Sequence, residues 1–292
     1  MNLRLILLCI VLGSIASGVA QLSLESFGEP LEGQDIEVIW KVSPGEVPAS
    51  LKTFTVLPSL FSSEVVSNVI GLCRFNDAKK IRMVFDDVAA GKAANYQEPY
   101  PEKPVLGKSL RIVPANGYIN HFNPTASSLP GVPAEGVPSR ERALQLATNL
   151  LPKLGINESE LARKPNSQEL VYFVTEKRNG RFDKQQKKAV EEVAARGVIL
   201  FRQVDGVSFS GPSDSGGVRV EFGNNEQIKE LAVTWRSLKP EKEEAVASKE
   251  EIVRAIKQGQ AVVKLPEGLG NMAKLKSVTI TGLRPYYFGE SG

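Results

Sequence analysis

The sequence predicts an α+β protein of tandem units, each laying an amphipathic helix on an antiparallel sheet, behind a cleaved export signal. Three observations carry that expectation. In VRVEFGNNEQIKELAVTW, Val218 to Trp235, the residues Val218, Val220 and Phe222 alternate with Arg219 and Glu221. Leu231, Val233 and Trp235 then alternate with Ala232 and Thr234, the two-residue period of strands with one buried face. Between them Gly223-Asn224-Asn225-Glu226 reverses the chain, and Ile228, out of phase with Leu231, marks a bulge or a longer turn. Second, such a hairpin needs a helix against its apolar face, and one order of elements recurs three times. Serine-capped helices start at SSEVV (Ser62), SRERAL (Ser139) and SKEEIV (Ser248). The matching hairpins are LRIV-PANG-YIN, VRVEF-GNNE-QIKEL and VTIT-GLRP-YYF. Third, the first twenty residues have the layout of a secretory leader.

In that leader Arg4 gives a basic start, Leu5 to Leu12 is an unbroken apolar run, and Gly18-Val19-Ala20 ends it with small residues. Cleavage after Ala20 is expected, because the apolar run is short for a bilayer span. No stable transmembrane span is expected afterwards. The remaining chain, out of 292 residues, is long enough for two or three cores. Cleavage removes Cys9 and leaves Cys73 alone, so no internal disulfide forms. Within VIGLCRF, Cys73 reads as a small buried hydrophobe. With 36 basic and 33 acidic residues the net charge is +3, and loss of Arg4 lowers it to +2. A balance this close to neutral argues against nucleic acid as a partner.

The elements follow in order. Residues 21–123 form the expected N-terminal unit. Gln34 to Val42 is a first strand stopped by Ser43-Pro44-Gly45, and Lys52 to Leu57 a second. Ser62 or Ser63 caps a helix with Val65, Val66, Val69 and Ile70 on one stripe. Lys80 to Phe85 reads as a strand, Ala93 to Lys108 as an irregular excursion, and Leu110 to Phe122 as a hairpin about Pro114-Ala115-Asn116-Gly117. Residues 124–138, with four prolines, read as a linker.

The central unit, 139–237, opens with the clearest helix of the chain. Ser139 caps it, Glu141 suits its positive start, and Ala143, Ala147, Leu150, Leu151 and Leu154 form its apolar face. Pro152 and Gly155 end it. Leu170 to Val174 is a short strand. Asp183 to Arg196 reads as a second helix, its Lys187/Glu191 and Lys188/Glu192 pairs four apart. Val198 to Val204 is a strand. The C-terminal unit, 238–292, begins with a charged joint, Leu238 to Ala245. A helix follows with Ser248 and Glu251 as a capping box, then strands at Ala261 to Leu265 and Ser277 to Thr281. This unit has less strand than the other two, which leaves its sheet short of complete.

No catalytic, cofactor-binding or metal residue is assigned. Ser213-Asp214-Ser215-Gly216-Gly217 resembles the nucleophile loop of trypsin-like proteases, and His121 lies upstream. However, Ser213 stands where that loop has glycine, and GYINHFN is not that family's histidine motif, so a serine-rich turn is the simpler account. His121 is the only histidine, with no Cys or carboxylate group at ligand spacing, and on a hairpin edge it reads as a surface or half-buried residue. Asp86-Asp87 and Glu191-Glu192 are sequence neighbours that diverge on a helix or strand, so neither pair brackets a substrate. Lys177, Arg178, Arg181, Lys184, Lys187 and Lys188 make a basic run with Phe182 as its one aromatic ring, a solvated segment before a nucleic-acid surface. Asn157-Glu158-Ser159 fits a glycosylation acceptor in a eukaryotic secretory route.

The segments VPSRERALQLATNLL, GVSFSGPSDSGGVRVEFGNNEQIKELAVTWRSLKP and VASKEEIVRAIKQGQ, with SVTITGLRPYYF after them, resemble tandem PepSY-type domains. These include extracytoplasmic regulators of a cell-wall-sensing histidine kinase in Gram-positive bacteria. The resemblance spans Val137 to Phe288 and lies in element order and strand pattern, so it transfers no site residue. It implies a PepSY/cystatin-like fold and an exported, non-enzymatic protein that binds or restrains another protein outside the cytoplasm. The segment Thr175 to Gly197 departs from that pattern as a long charged insertion. The alternatives are a secreted hydrolase whose groups converge only in three dimensions, and an envelope-associated structural protein whose basic run holds an anionic polymer.

Overall fold

The computed structural model describes residues 37–43, 48–59, 61–99, 106–127, 132–164, 166–183, 187–210, 216–258, 277–283 and 286–288. The leader, the Ser213–Ser215 motif and the strand expected at Ala261 to Leu265 lie outside them. In order, the elements are β1 (Glu37–Trp40), β2 (Ser50–Leu57), α1 (Ser63–Cys73), α2 (Ala78–Ala89), β3 (Ala94–Pro99), β4 (Leu106–Val113) and β5 (Tyr118–Phe122). There follow α3 (Arg140–Leu150), β6 (Tyr172–Asp183), β7 (Lys188–Phe201), β8 (Gln203–Val204), β9 (Val207–Ser210), β10 (Gly217–Phe222) and β11 (Ile228–Thr234). The last are β12 (Ser237–Ala245), α4 (Lys249–Lys257), β13 (Ser277–Ile280) and β14 (Tyr286–Phe288). The class is α+β, as expected. Two compact units result, one from residues 56–206 with 216–238, the other from the described residues up to 55, 207–210 and from 239 onward.

The first of these is a seven-stranded antiparallel sheet in the order β3-β4-β5-β11-β10-β7-β6. One face carries Leu110, Ile112, Ile119, Val198, Leu200, Val218, Val220, Leu231 and Val233 into a single apolar core. Over that face lie α1 through Val66, Val69, Ile70 and Cys73, α2 through Val84 and Val88, and α3 through Ala143, Ala147 and Leu150. The segments 21–123 and 139–237 thus share one sheet, joined at its centre by β5 and β11, where Ile119 faces Val233 and His121 faces Leu231. The alternation in Val218 to Trp235 produces β10 and β11 as expected, and the register shifts between Glu221 and Phe222, leaving Lys229 as the extra residue and setting Ile228 opposite Phe222.

Local capping sets the helix starts. Ser62 Oγ accepts the Val65 N–H at 3.2 Å and Ser139 Oγ the Arg142 N–H at 3.1 Å. Ser248 and Glu251 exchange hydrogen bonds as a full capping box. Each satisfies an amide that the first turn leaves open. Ser139→Ala is expected to destabilise the protein by about 1 kcal/mol, read as a lower urea midpoint at unchanged slope. A change within error would show that water caps α3 equally well.

Five expectations are corrected. Lys80 to Phe85 is helical, within α2: Asp77 accepts from the N–H groups of Lys79 and Lys80, and Val84 and Val88, four apart, are its buried residues. The described residues of Asp183 to Arg196 are not helical: Asp183 ends β6, and Lys188 to Arg196 lie on β7, antiparallel to it. A register shift at Lys177/Arg178 skips Ala194 and breaks the alternation that would have announced the strand. Leu238 to Ala245 is strand β12, almost wholly exposed and paired with β2. Ala93 to Lys108 holds strand β3 and the start of β4. Ser277 to Phe288 is not a hairpin, because β13 pairs parallel with β1 and β14 parallel with β9.

Residues 132–138, expected to run free between units, are held by hydrogen bonds. Asn225 N–H donates to Glu135 O at 2.8 Å, Glu226 N–H to Gly136 O at 3.1 Å, and Ala134 N–H to Glu192 Oε1 at 3.0 Å. Pro138 O accepts from Arg196. In the second unit, Ser50 Oγ donates to Glu243 Oε2 and Thr53 Oγ1 to Lys242 O, both at 3.0 Å, tying β2 to β12. Its buried residues include Leu51, Phe54, Ile252, Ile256, Ile280 and Leu283.

Candidate interaction face

Because strand side chains alternate, the residues between the core positions of the seven-stranded sheet point to its other face. The register aligns them in rows. Asn95, Arg111, Asn120, Ala232, Arg219, Ile199 and Phe173 form one row across all seven strands. Gln97, Ser109, Phe122, Glu230, Glu221, Gly197 and Thr175 form the next. Arg111 and Arg219 are exposed, Phe122 is 38% and Phe173 47% exposed, and Phe173 meets Phe201 edge-on at 5.4 Å between ring centroids. The face therefore mixes arginine with accessible aromatic rings, the side chains enriched where proteins bind one another.

One acid on this face is buried. Glu221 is 1% exposed and lies between Lys177 Nζ at 2.7 Å and Lys229 Nζ at 2.9 Å. Burial pushes its carboxyl up, but the bonds to the two lysines outweigh that and hold it below the usual carboxylate range. Lys229→Met leaves Glu221 with one partner and is expected to destabilise by about 2 kcal/mol, while Lys229→Met with Glu221→Leu recovers most of that. Urea melts of wild type, Lys229→Met and the double variant check this, and no recovery of stability in the double variant would count against a coupled pair.

The residues weighed from sequence do not converge. His121, expected to be at the surface or half-buried, is fully buried, because β4 and β5 lie inside the sheet and His121 points to the helix side. Its Nδ1 is 2.8 Å from Ser109 O, which fixes the Nδ1–H tautomer, and its ring meets Phe75 edge-on at 5.7 Å. Burial drives its pKa down to about 4, with nearby Lys108 adding to the fall and the Ser109 bond opposing it. Cys73 is buried as expected, and burial pushes its thiol far up, which makes it a poor nucleophile. Asp86 and Asp87 lie on α2, whereas Glu191 and Glu192 are neighbours on β7 and so turn to opposite faces. Among the described residues no three of His, Cys, Asp and Glu could hold a metal ion, and no helix is long and apolar enough to cross a membrane. No family model, no curated protein and no solved structure matches the chain.

Sequence reasoning missed Phe122, Phe173, Arg111 and Arg219 as residues of one face. Parity within each strand marks them as outward residues, but the order that sets β5 beside β11 cannot be read from parity.

Proposed function

We propose that the chain is an exported, non-enzymatic binding or regulatory protein that acts on another protein outside the cytoplasm, released by cleavage after Ala20. The observation that supports this is the sheet face opposite the helices, where Arg111, Arg219, Phe122 and Phe173 are accessible among the described residues, on a scaffold whose other side packs against three helices. We further infer that the shared sheet is two copies of one PepSY/cystatin-like unit. In support, α1 and α3 each start at a serine cap, and the hairpins β4–β5 and β10–β11 end the two halves and meet at β5 and β11.

The test uses chain starting at Gln21 as bait in a native extracytoplasmic fraction. It compares wild type, Phe122→Ser/Phe173→Ser, and Met83→Ser as a control on α2, where Met83 is 56% exposed. Wild type and control are expected to retain the same protein partner and the double variant to lose it. Equal retention by all three, or hydrolytic activity lost on Ser215→Ala, would overturn the proposal.

A further inference from the structure

Beneath the start of α3, three guanidinium groups converge on one carboxylate. Glu176 Oε1 accepts from Arg140 Nε at 3.0 Å and from Arg196 Nη2 at 3.1 Å, and Glu176 Oε2 accepts from Arg178 Nη2 at 3.0 Å. The residues come from α3, from β7 and from β6, so the sheet and helix assemble the group together. The bonds from Arg140 and Arg178, with that from Arg196, hold the Glu176 carboxyl down to about 2 against the opposing effect of burial. Glu141 is the other acid beside the cluster, its carboxylate accepting from Ser139 Oγ at 3.0 Å. Among the described residues, three cations against two anions leave a surplus of positive charge, and the start of α3 adds its own partial positive charge. The neighbouring Arg142 shows the ordinary arrangement, since it is matched one to one and bidentately by Glu226 at 2.8 Å.

The surplus is accessible. Arg140 is 62% and Arg178 55% exposed, and each spends a single N–H donor on Glu176 among the described residues. A guanidinium carries five donors in a fixed fork. The Arg196 Nε, itself buried, has no hydrogen-bond partner among the described residues. With Glu176 already filling the planar carboxylate position, the remaining donors sit on separate guanidiniums on either side of it. A ligand that uses both needs oxygens directed apart, as on a tetrahedral phosphate.

We propose that Arg140, Arg178 and Arg196 form a binding site for a phosphate monoester group. This goes beyond the proposed protein-binding role and does not depend on it. The same chemistry is offered by a free phosphate and by a lipid headgroup, so the experiment carries both. Full chain is titrated with inorganic phosphate by calorimetry, at ionic strength held constant with chloride, and is floated with phosphatidylcholine vesicles with and without phosphatidic acid. Arg140→Gln/Arg178→Gln is compared with Lys187→Gln/Lys188→Gln, which removes the same charge from exposed positions on the β6–β7 hairpin. Saturable phosphate binding, weakened about tenfold or more by the arginine pair and unchanged by the lysine pair, is the expected result. Capture by phosphatidic acid vesicles alone, through the same arginines, supports the site and assigns a lipid source. Equal weakening by both pairs means diffuse attraction and overturns the proposal, as does the absence of binding to either probe. Circular dichroism of both variants confirms that they remain folded, so a loss of binding reports the site.

Discussion

Gly223→Ala is expected to destabilise the protein by about 3 kcal/mol or more, enough to remove much of the stability of an ordinary domain. Gly223 follows β10 at φ −109°, outside the left-handed region, and its constraint is one of space. A Cβ there would lie 1.9 Å from the Ala126 carbonyl oxygen and 2.9 Å from its carbon, both backbone atoms that cannot turn aside. Ala126 is itself fully buried, and the 3₁₀ turn Pro124–Ala126 is fixed by Asn123, whose Oδ1 accepts the Thr125 N–H at 3.1 Å. Relief therefore requires the turn after β5 to separate from the turn after β10. Urea unfolding monitored by tryptophan fluorescence measures the loss. A shift under about 1 kcal/mol would show that the two turns part without cost. Gly206→Ala is a useful comparison, since nothing lies within 4 Å of a Cβ there and only its φ of +78° is strained.

His121 is expected to make the protein acid-labile between about pH 6.5 and pH 4. Its pKa falls from 6.5 to about 4 on folding, so the folded state keeps it neutral where the unfolded chain takes up a proton. The unfolded state then binds more protons across that window, and stability rises with pH. The contribution is complete above pH 6.5, shrinks as pH falls, and is gone below about 4, a total of about 3 kcal/mol. The physical cause is the removal of water from a ring between β4 and Phe75, with the Lys108 charge disfavouring a second cation nearby. Unfolding free energies of wild type and His121→Phe between pH 4 and 7.5 isolate the effect, because the difference between them subtracts the acids. Glu176 is one such acid, its carboxyl held near 2, and it contributes stability that is lost only at lower pH. Parallel pH profiles for the two proteins would contradict a neutral buried imidazole.

What could be read from the sequence was local. The serine caps at Ser62, Ser139 and Ser248 depend on three or four consecutive residues, and each forms. The β10–β11 hairpin and its bulge also depend on one continuous stretch. Lys80 to Phe85 misled because Ile81, Met83 and Phe85 alternate over a short window, whereas the residues that define the helix face, Val84 and Val88, extend beyond it. Lys187 to Arg196 is rich in Lys, Glu and Ala, good helix formers, yet pairing with β6 overrides that preference. Strand β12 carries too few apolar residues to announce itself. The candidate surfaces were least legible of all. Arg140, Glu176, Arg178 and Arg196 are brought together only by packing α3 on β7 beside β6, and the exposed rings share a face only through the strand order.

The central pairing of β5 with β11 has a consequence for how the chain comes off the ribosome. Ile119 emerges long before Val233, so the first three strands must wait with one bare edge while the second half is synthesised. Neighbours so distant along the chain are costly to bring together, which predicts slow acquisition of the native state and a nascent intermediate prone to sticking to its own kind. Were the chain exported as proposed, such delay would be compatible with translocation, because a machine that threads extended chain must act before the two halves lock.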